Sequence, residues 1–365
     1  MIKVGIECEP IEEDTYGIAS LINNLLKEIA RRPELEKEFK FYLYFKSEIP
    51  KYKYLDAPIF EKRLIGVPSF SLYYYVLLPI RLWFDRLDMM YYTNYMLPII
   101  HLGKSLVFSA HDAFYEAKSR NIPFRYRLAY RIFCTWAAWR ATKLIAMSEF
   151  GKRELQKAAG IDPDRIIVNH LGVNKPREDI VAYPGNYILF VGQAFPRRHL
   201  KETLLAFEKI TSQFHDLNFI AVAPDKYSPP IIKNLIHKIN ERLGTDRITY
   251  RERVTDDELA ALYKGAGAVA YISSKEAFGL PPLEALAYGT VPIVADNELS
   301  HELFDTSAVF VSNPNSIDEI AAALIKALNF ETRAKITSTR QLIVERLSWQ
   351  AHTDRFLNIV RHLYA

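Results

Sequence analysis

Two cysteines in 365 residues, Cys8 and Cys134, are too few for a disulfide framework or a zinc constellation. Long apolar runs are also missing. The longest candidate, residues 71–84, is broken by Pro79 and Arg81 and falls short of the roughly 18–20 residues a spanning helix needs. MIKVGIECEP turns strand-like at once, with no basic segment before an apolar one, so no signal peptide is expected and the chain reads as cytoplasmic. A Gly-x-Gly-x-x-Gly turn with a downstream acid is absent, which argues against a nicotinamide oxidoreductase. The Asp162-Pro163-Asp164 triplet precedes RIIV and reads as a turn, so no metal loop is expected.

Acidic residues are scarce in one place. Residues 118–157 contain ten Lys/Arg and two Asp/Glu, within a first half (1–175) that carries 26 against 20. The composition is otherwise ordinary: 49% hydrophobic and 25% charged residues mark a globular chain rather than a disordered one. Its length suits two domains of about 150–180 residues each.

Short β-branched or apolar runs alternate with helical-period segments, the pattern of stacked βαβ units. IKVGIE, FKFYLYF, MMYY, SLVFSA and KLIAMS read as strands, with a first amphipathic helix over 18–32. A polar stretch with Pro176, Pro184 and Gly185 reads as a linker, and YILFVG opens a second series. The expected fold class is α/β: two Rossmann-like, doubly wound domains facing across a cleft. Their boundaries are 1–175 and 176–345, and residues 346–365 form a helix crossing back to the first domain.

The stretch KEAFGLPPLEALAYGTVPIV holds Glu276 and Glu284, with Gly279 and two prolines between them. Proline suits a first helical position, so Glu276 falls in a loop and Glu284 in the first turn of a helix. Free backbone N–H groups around Phe278, Gly279 and Leu280 make an anion site there. On spacing alone two readings stand. One is a phosphate flanked by carboxylates that accept hydroxyls; the other is a first-turn acid complementing the helix dipole beside a solvated loop acid.

SSKEAFGLPPLEALAYGTVPIVADNELSHEL resembles the signature of retaining GT-B glycosyltransferases of family 4 (glycosyl transferases group 1), with Ala277 in place of the usual glycine. AMSEFGKREL, NHLGVN, FVGQAFPRRHLKETLLAF and VTDDELAALYKGAGAVAYIS resemble further segments of that family, along most of the chain. The resemblance implies a donor site for a nucleoside-diphosphate sugar. Glu276 would hold sugar hydroxyls and Glu284 the ribose, with Gly192, Gln193, Arg197 and Arg198 at the diphosphate. Gln193 stands where the family has an arginine, and Arg198 where it has a lysine. Gly17 and Ile18 match the family's first glycine turn, with Tyr16 replacing one glycine. His111, followed by Asp112, would lie close to the reacting sugar. Ser300 and Glu302 match a polar segment near the base or ribose. The catalytic set implied is His111, Glu276 and Arg198.

RNIPFRYRLAYRIFCTWAAWRATK mixes Arg125, Arg127, Arg131 and Arg140 with aromatics including Trp136. It reads either as a basic face for an acceptor or an anionic membrane surface, or as a core stripe with solvated arginines. FSLYYYVLLPIRLWFDRL could add an apolar patch. Nucleic-acid binding has no motif to support it. The resemblance implies metal-free, retaining transfer of a hexose to a hydroxyl of a glycan or lipid-linked acceptor, in cell-surface polysaccharide synthesis. It needs no cofactor. GDP-mannose is the favoured donor, with UDP-glucose or dTDP-rhamnose as alternatives. A non-catalytic sugar-nucleotide-binding subunit is the rival outside enzymes.

Overall fold

The computed structural model describes every residue except 13–16, 102 and 110–123, and describes only the backbone of 124–127 and 129–131. The chain divides into two units, Met1–Gly172 with Trp349–Ala365, and Val173–Ser348.

The first unit is built on a seven-stranded sheet: β1 (Ile2–Glu7), β2 (Phe39–Phe45), β3 (Phe60–Leu64), β4 (Met89–Tyr92), β5 (Lys104–Phe108), β6 (Lys143–Ala146) and β7 (Ile166–Val168). All neighbours pair in parallel, in the order β3-β2-β1-β4-β5-β6-β7. Central strands such as MMYY are buried along their whole length, as a sheet covered on both faces requires. Edge strand β3, FEKRL, buries Phe60 and leaves its charged residues partly exposed, which discourages a further strand from pairing there. Gly5 on β1 is required by crowding: a Cβ there would lie 2.4 Å from Met90 Sδ and 2.5 Å from Leu87 Cδ1.

The helix Ile18–Ala30 buries Leu21, Ile22, Leu25, Leu26 and Ile29, one face at helical spacing. Helix Trp349–Tyr364 packs on it, burying Phe356 against Tyr91 with ring centroids 5.1 Å apart. Arg361 of that helix pairs with Glu38 at 2.7 Å. The terminal helix is therefore an integral part of the first unit.

The second unit holds β8 (Tyr187–Val191), β9 (Asn218–Val222), β10 (Ile248–Arg251), β11 (Ala268–Tyr271), β12 (Val291–Ala295) and β13 (Val309–Val311). These pair in parallel in the order β10-β9-β8-β11-β12-β13. The fold is thus two α/β units of Rossmann-like, doubly wound design, as expected. In each, strand order reverses between two neighbours, β1/β4 and β8/β11. At such a switch point the connecting chains leave in opposite directions and open a crevice beyond the strands' carboxyl ends.

Candidate active site

In the second unit, the chains leaving β8 and β11 at the switch point meet and are tied together. After β8, Gly192 takes φ +123°, and a Cβ there would sit 3.1 Å from Arg198 Nη1. A short 3-10 turn, Pro196–Arg198, follows, and helix Leu200–Ile210 starts after His199. His199 is buried in the left-handed region at φ 48°. The Arg197 carbonyl accepts from Ser274 N at 2.9 Å, binding the β8 loop to the β11 loop.

Arg198 and Glu276 form the core of the site. Arg198 Nε donates to Glu276 Oε1 at 2.6 Å and Nη2 to Oε2 at 3.3 Å, while Nη1 donates to the Gln193 carbonyl at 3.0 Å. The Tyr271 and Ser273 hydroxyls each donate to the same Oε1 at 3.0 Å. The guanidinium also lies 5.1 Å from the Tyr271 ring centroid. An ion pair this enclosed is held by further hydrogen bonds from its neighbours, and removing one partner strands the other. Arg197 stacks on Phe195 at 4.2 Å and has no acidic partner among the described residues.

Helix Leu280–Ala287 begins where the prolines predict, with Gly279 as its N-cap at φ 96°, a conformation that favours glycine. Glu284 points back to helix Asp256–Gly265, where the buried Tyr263 hydroxyl donates to its Oε2 at 2.9 Å. Burial pushes the Glu284 carboxyl above the usual range, and the Tyr263 bond opposes this. Its Oε1 accepts from no described residue.

The remaining expected donor residues occupy the same loops. Gln193 is exposed, contributing its carbonyl to Arg198, while Ala277, Gly279 and Leu280 are half-buried and Phe278 is buried. Ser300 and Glu302 both belong to helix Glu298–Phe304, where Ser300 N donates to the capping Asn297 at 2.9 Å. In the first unit, Gly17 caps helix Ile18–Ala30 at φ 89°. Tyr16, His111 and Asp112 lie outside the described residues, as do the side chains of Arg125, Arg127 and Arg131. Trp136 is half-buried, with its indole N–H directed at the Pro98 carbonyl at 3.5 Å. The exposed indoles are Trp83 and Trp139, 67% and 70% accessible.

Sequence reasoning passed over Tyr263, Tyr271 and Ser273. It also passed over a carboxylate cluster at the switch point of the first unit. Glu7, fully buried at the end of β1, accepts from Thr93 N at 2.9 Å and from Asn94 Nδ2 at 2.7 Å. Burial lifts its carboxyl from 4.5 to about 7 despite these bonds. Asn94 also donates to Glu9 at 3.1 Å, and Glu9 pairs with Lys46 at 3.1 Å. Among the described residues no group of His, Cys, Asp and Glu is arranged to hold a metal ion.

Residues 176–341 match the family Glycosyl transferases group 1, and residues 38–177 match Glycosyltransferase Family 4. O-antigen chain mannosyltransferase RfbU of Salmonella typhimurium (strain LT2) is 24% identical over 282 residues, 74% of this chain and 76% of that protein. O-antigen chain mannosyltransferase B of Escherichia coli is 26% identical over 237 residues, 61% of each chain. A solved structure of HepE from Anabaena, in complex with UDP and glucose, has a TM-score of 0.72 at 16% identity and covers 99% of this chain and 100% of that one.

Proposed function

Because the chain is a glycosyltransferase, with a group 1 domain and a family 4 domain, we propose that it moves a hexose from a nucleoside-diphosphate sugar to a hydroxyl of a glycan or lipid-linked acceptor. Mannose is the favoured sugar and GDP-mannose the favoured donor, since two relatives are named O-antigen chain mannosyltransferases. Cell-surface polysaccharide synthesis on the cytoplasmic side of a membrane is the corresponding setting. The observation that supports the reading is the Arg198–Glu276 pair on the joined β8 and β11 loops, with Glu284 on the helix that follows and Arg197 without an acidic partner among the described residues.

In this reading the diphosphate meets Arg197, the unused N–H groups of Arg198 and the backbone at Gly279 and Leu280. These charges stabilise the leaving group without a metal, and they act before the bond breaks because they are already in place. Glu284 Oε1 accepts from ribose hydroxyls and Glu276 from the sugar. Transfer proceeds with retention, by attack of the acceptor hydroxyl on the face the phosphate leaves. The departing phosphate oxygen takes the proton.

The lipid side of the reading rests on the first unit. Val76, Ile80, Trp83 and Phe84 recur at helical spacing, and all are exposed. Tyr75 stacks on Phe133 at 5.0 Å, joining this segment to helix Phe124–Arg140, which exposes Ile132 and Trp139. That helix has four arginines and no acid, so the occupant is an anionic bilayer surface.

The test is incubation of the full chain with GDP-mannose, UDP-glucose and dTDP-rhamnose, measuring released nucleoside diphosphate. Release from one donor, strongest with GDP-mannose, is expected. Binding without release from any of them would favour a non-catalytic sugar-nucleotide-binding subunit.

A further inference from the structure

Resting on the donor-site reading above, we propose that Tyr271 is a positioning residue that joins Arg198 and Glu276 into one preformed unit. That unit offers an N–H edge to a phosphate and a single carboxylate oxygen to a sugar hydroxyl.

Tyr271 ends β11 and is 4% exposed, so its ring is fixed by the core around it. It acts on both charges at once. Its face lies 5.1 Å from the Arg198 guanidinium carbon, and its hydroxyl donates to Glu276 Oε1 at 3.0 Å. A planar guanidinium can stack on an aromatic face while its edge bonds a carboxylate; an ammonium offers neither plane nor fork. Arginine at position 198 and tyrosine at position 271 are in this sense a matched pair. Gly192 lies against both members of the pair, since a Cβ there would sit 3.1 Å from Arg198 Nη1 and 3.5 Å from Tyr271 Cε2.

The hydrogen-bond count shows what remains for a ligand. Glu276 Oε1 already takes Arg198 Nε, the Tyr271 hydroxyl and the Ser273 hydroxyl. Oε2 takes only the 3.3 Å bond from Arg198 Nη2 among the described residues. The Tyr271 bond therefore helps to occupy one oxygen fully and leaves the other as the available acceptor. Among the described residues Arg198 gives three N–H groups to Glu276 and the Gln193 carbonyl, and the Tyr271 hydroxyl also lies within its hydrogen-bonding reach, so at most two of the five N–H groups of a guanidinium remain for a ligand. Neither charge has to release its partner to receive substrate. Such a site reorganises little during the reaction, which is how fixed dipoles and charges lower a barrier.

Two variants separate the two contacts. Tyr271→Phe keeps the ring under Arg198 and removes the hydroxyl; Tyr271→Leu removes both. With titration calorimetry against GDP, UDP and dTDP, and hydrolysis of the matching sugar nucleotide, Tyr271→Phe should hold nucleoside-diphosphate affinity within about twofold. Its kcat for donor hydrolysis should fall about tenfold or more, the size of a lost hydrogen bond to a charged group. Tyr271→Leu should weaken both. Arg198→Lys should cost less in the Tyr271→Leu background than in the wild type, because the stack it forfeits is already gone. If Tyr271→Leu does not fold, Tyr271→Phe decides alone. A wild-type chain that binds a nucleoside diphosphate, with Tyr271→Phe unchanged in kcat or equally impaired in nucleotide binding, overturns the assignment. A wild-type chain that binds none of the three overturns the donor-site reading and this assignment with it.

Discussion

The hydroxyl of Tyr263 donates to Glu284 Oε2 at 2.9 Å, and this bond links helix Asp256–Gly265 to helix Leu280–Ala287, where Glu284 lies just past the first turn expected for it. It fixes the carboxylate by one oxygen and leaves the other facing out. Tyr263 is itself buried and stacked on Tyr288 at 6.0 Å, so the hydroxyl has no room to swing away.

Nucleotide affinity should therefore depend on pH through Glu284. Burial raises its pKa in the folded chain. Ribose hydroxyls donate to the charged form, so affinity should be full above the raised pKa and fall as pH drops through it. The stability term has the opposite sign: the folded state favours the proton, and that contribution fades as pH rises from 4.5 through the raised value. Calorimetry across pH 5 to 8 (roughly the range of use) should show a sloping profile for the wild type. Glu284→Gln should bind more weakly at neutral pH and show a shallower profile, keeping only the slope from the ligand's own terminal phosphate.

Glu7 provides a second pH dependence, on folding alone. Its carboxyl is lifted from 4.5 to about 7, so its stabilising contribution is complete below 4.5 and is lost as pH climbs to about 7. The difference is at most about 3 kcal/mol. Urea unfolding should show the wild type losing more stability between acid and mildly alkaline buffer than Glu7→Gln. Equal losses would remove Glu7 as the source.

Gly172 abuts the start of the terminal helix, where a Cβ would lie 2.4 Å from Trp349 N and 2.5 Å from its Cα. Backbone cannot yield as a side-chain tip does. Gly172→Ala should cost about 1–3 kcal/mol of first-unit stability, read as a lower unfolding midpoint.

Exposed Trp83 and Phe84 should carry membrane binding. Trp83→Ser with Phe84→Ser should reduce sedimentation with vesicles containing anionic lipid, with donor hydrolysis in solution unchanged. Unchanged sedimentation would place the contact elsewhere. Self-association lost in the same variant would mark the face as a contact between copies of the chain.

The strands of the two sheets were largely legible because central parallel strands are continuous apolar runs, as in MMYY and YILFV. The edge strand β3 was not, because FEKRL carries charge in place of that signal, and β7 is only three residues long. Gly279 and the prolines foretold the helix start, because backbone chemistry is local. Tyr271 was invisible as a site residue: β11 is apolar throughout, and nothing in AVAY separates a core ring from one that also orients a charge. The Arg198–Glu276 pair spans 78 positions, so only the switch-point topology brings the two together. Ser300 and Glu302 follow β12 as expected, but Asn297 caps a helix that includes them.

The most direct test of the central claim is nucleotide binding to the full chain and to Glu284→Ala, read as the shift in unfolding temperature with GDP, UDP and dTDP. Ligand bound to the native state alone raises that temperature. The account predicts a rise for the wild type, largest with GDP, and its loss in Glu284→Ala. A full rise retained by Glu284→Ala, or no rise in the wild type with any of the three, would contradict it.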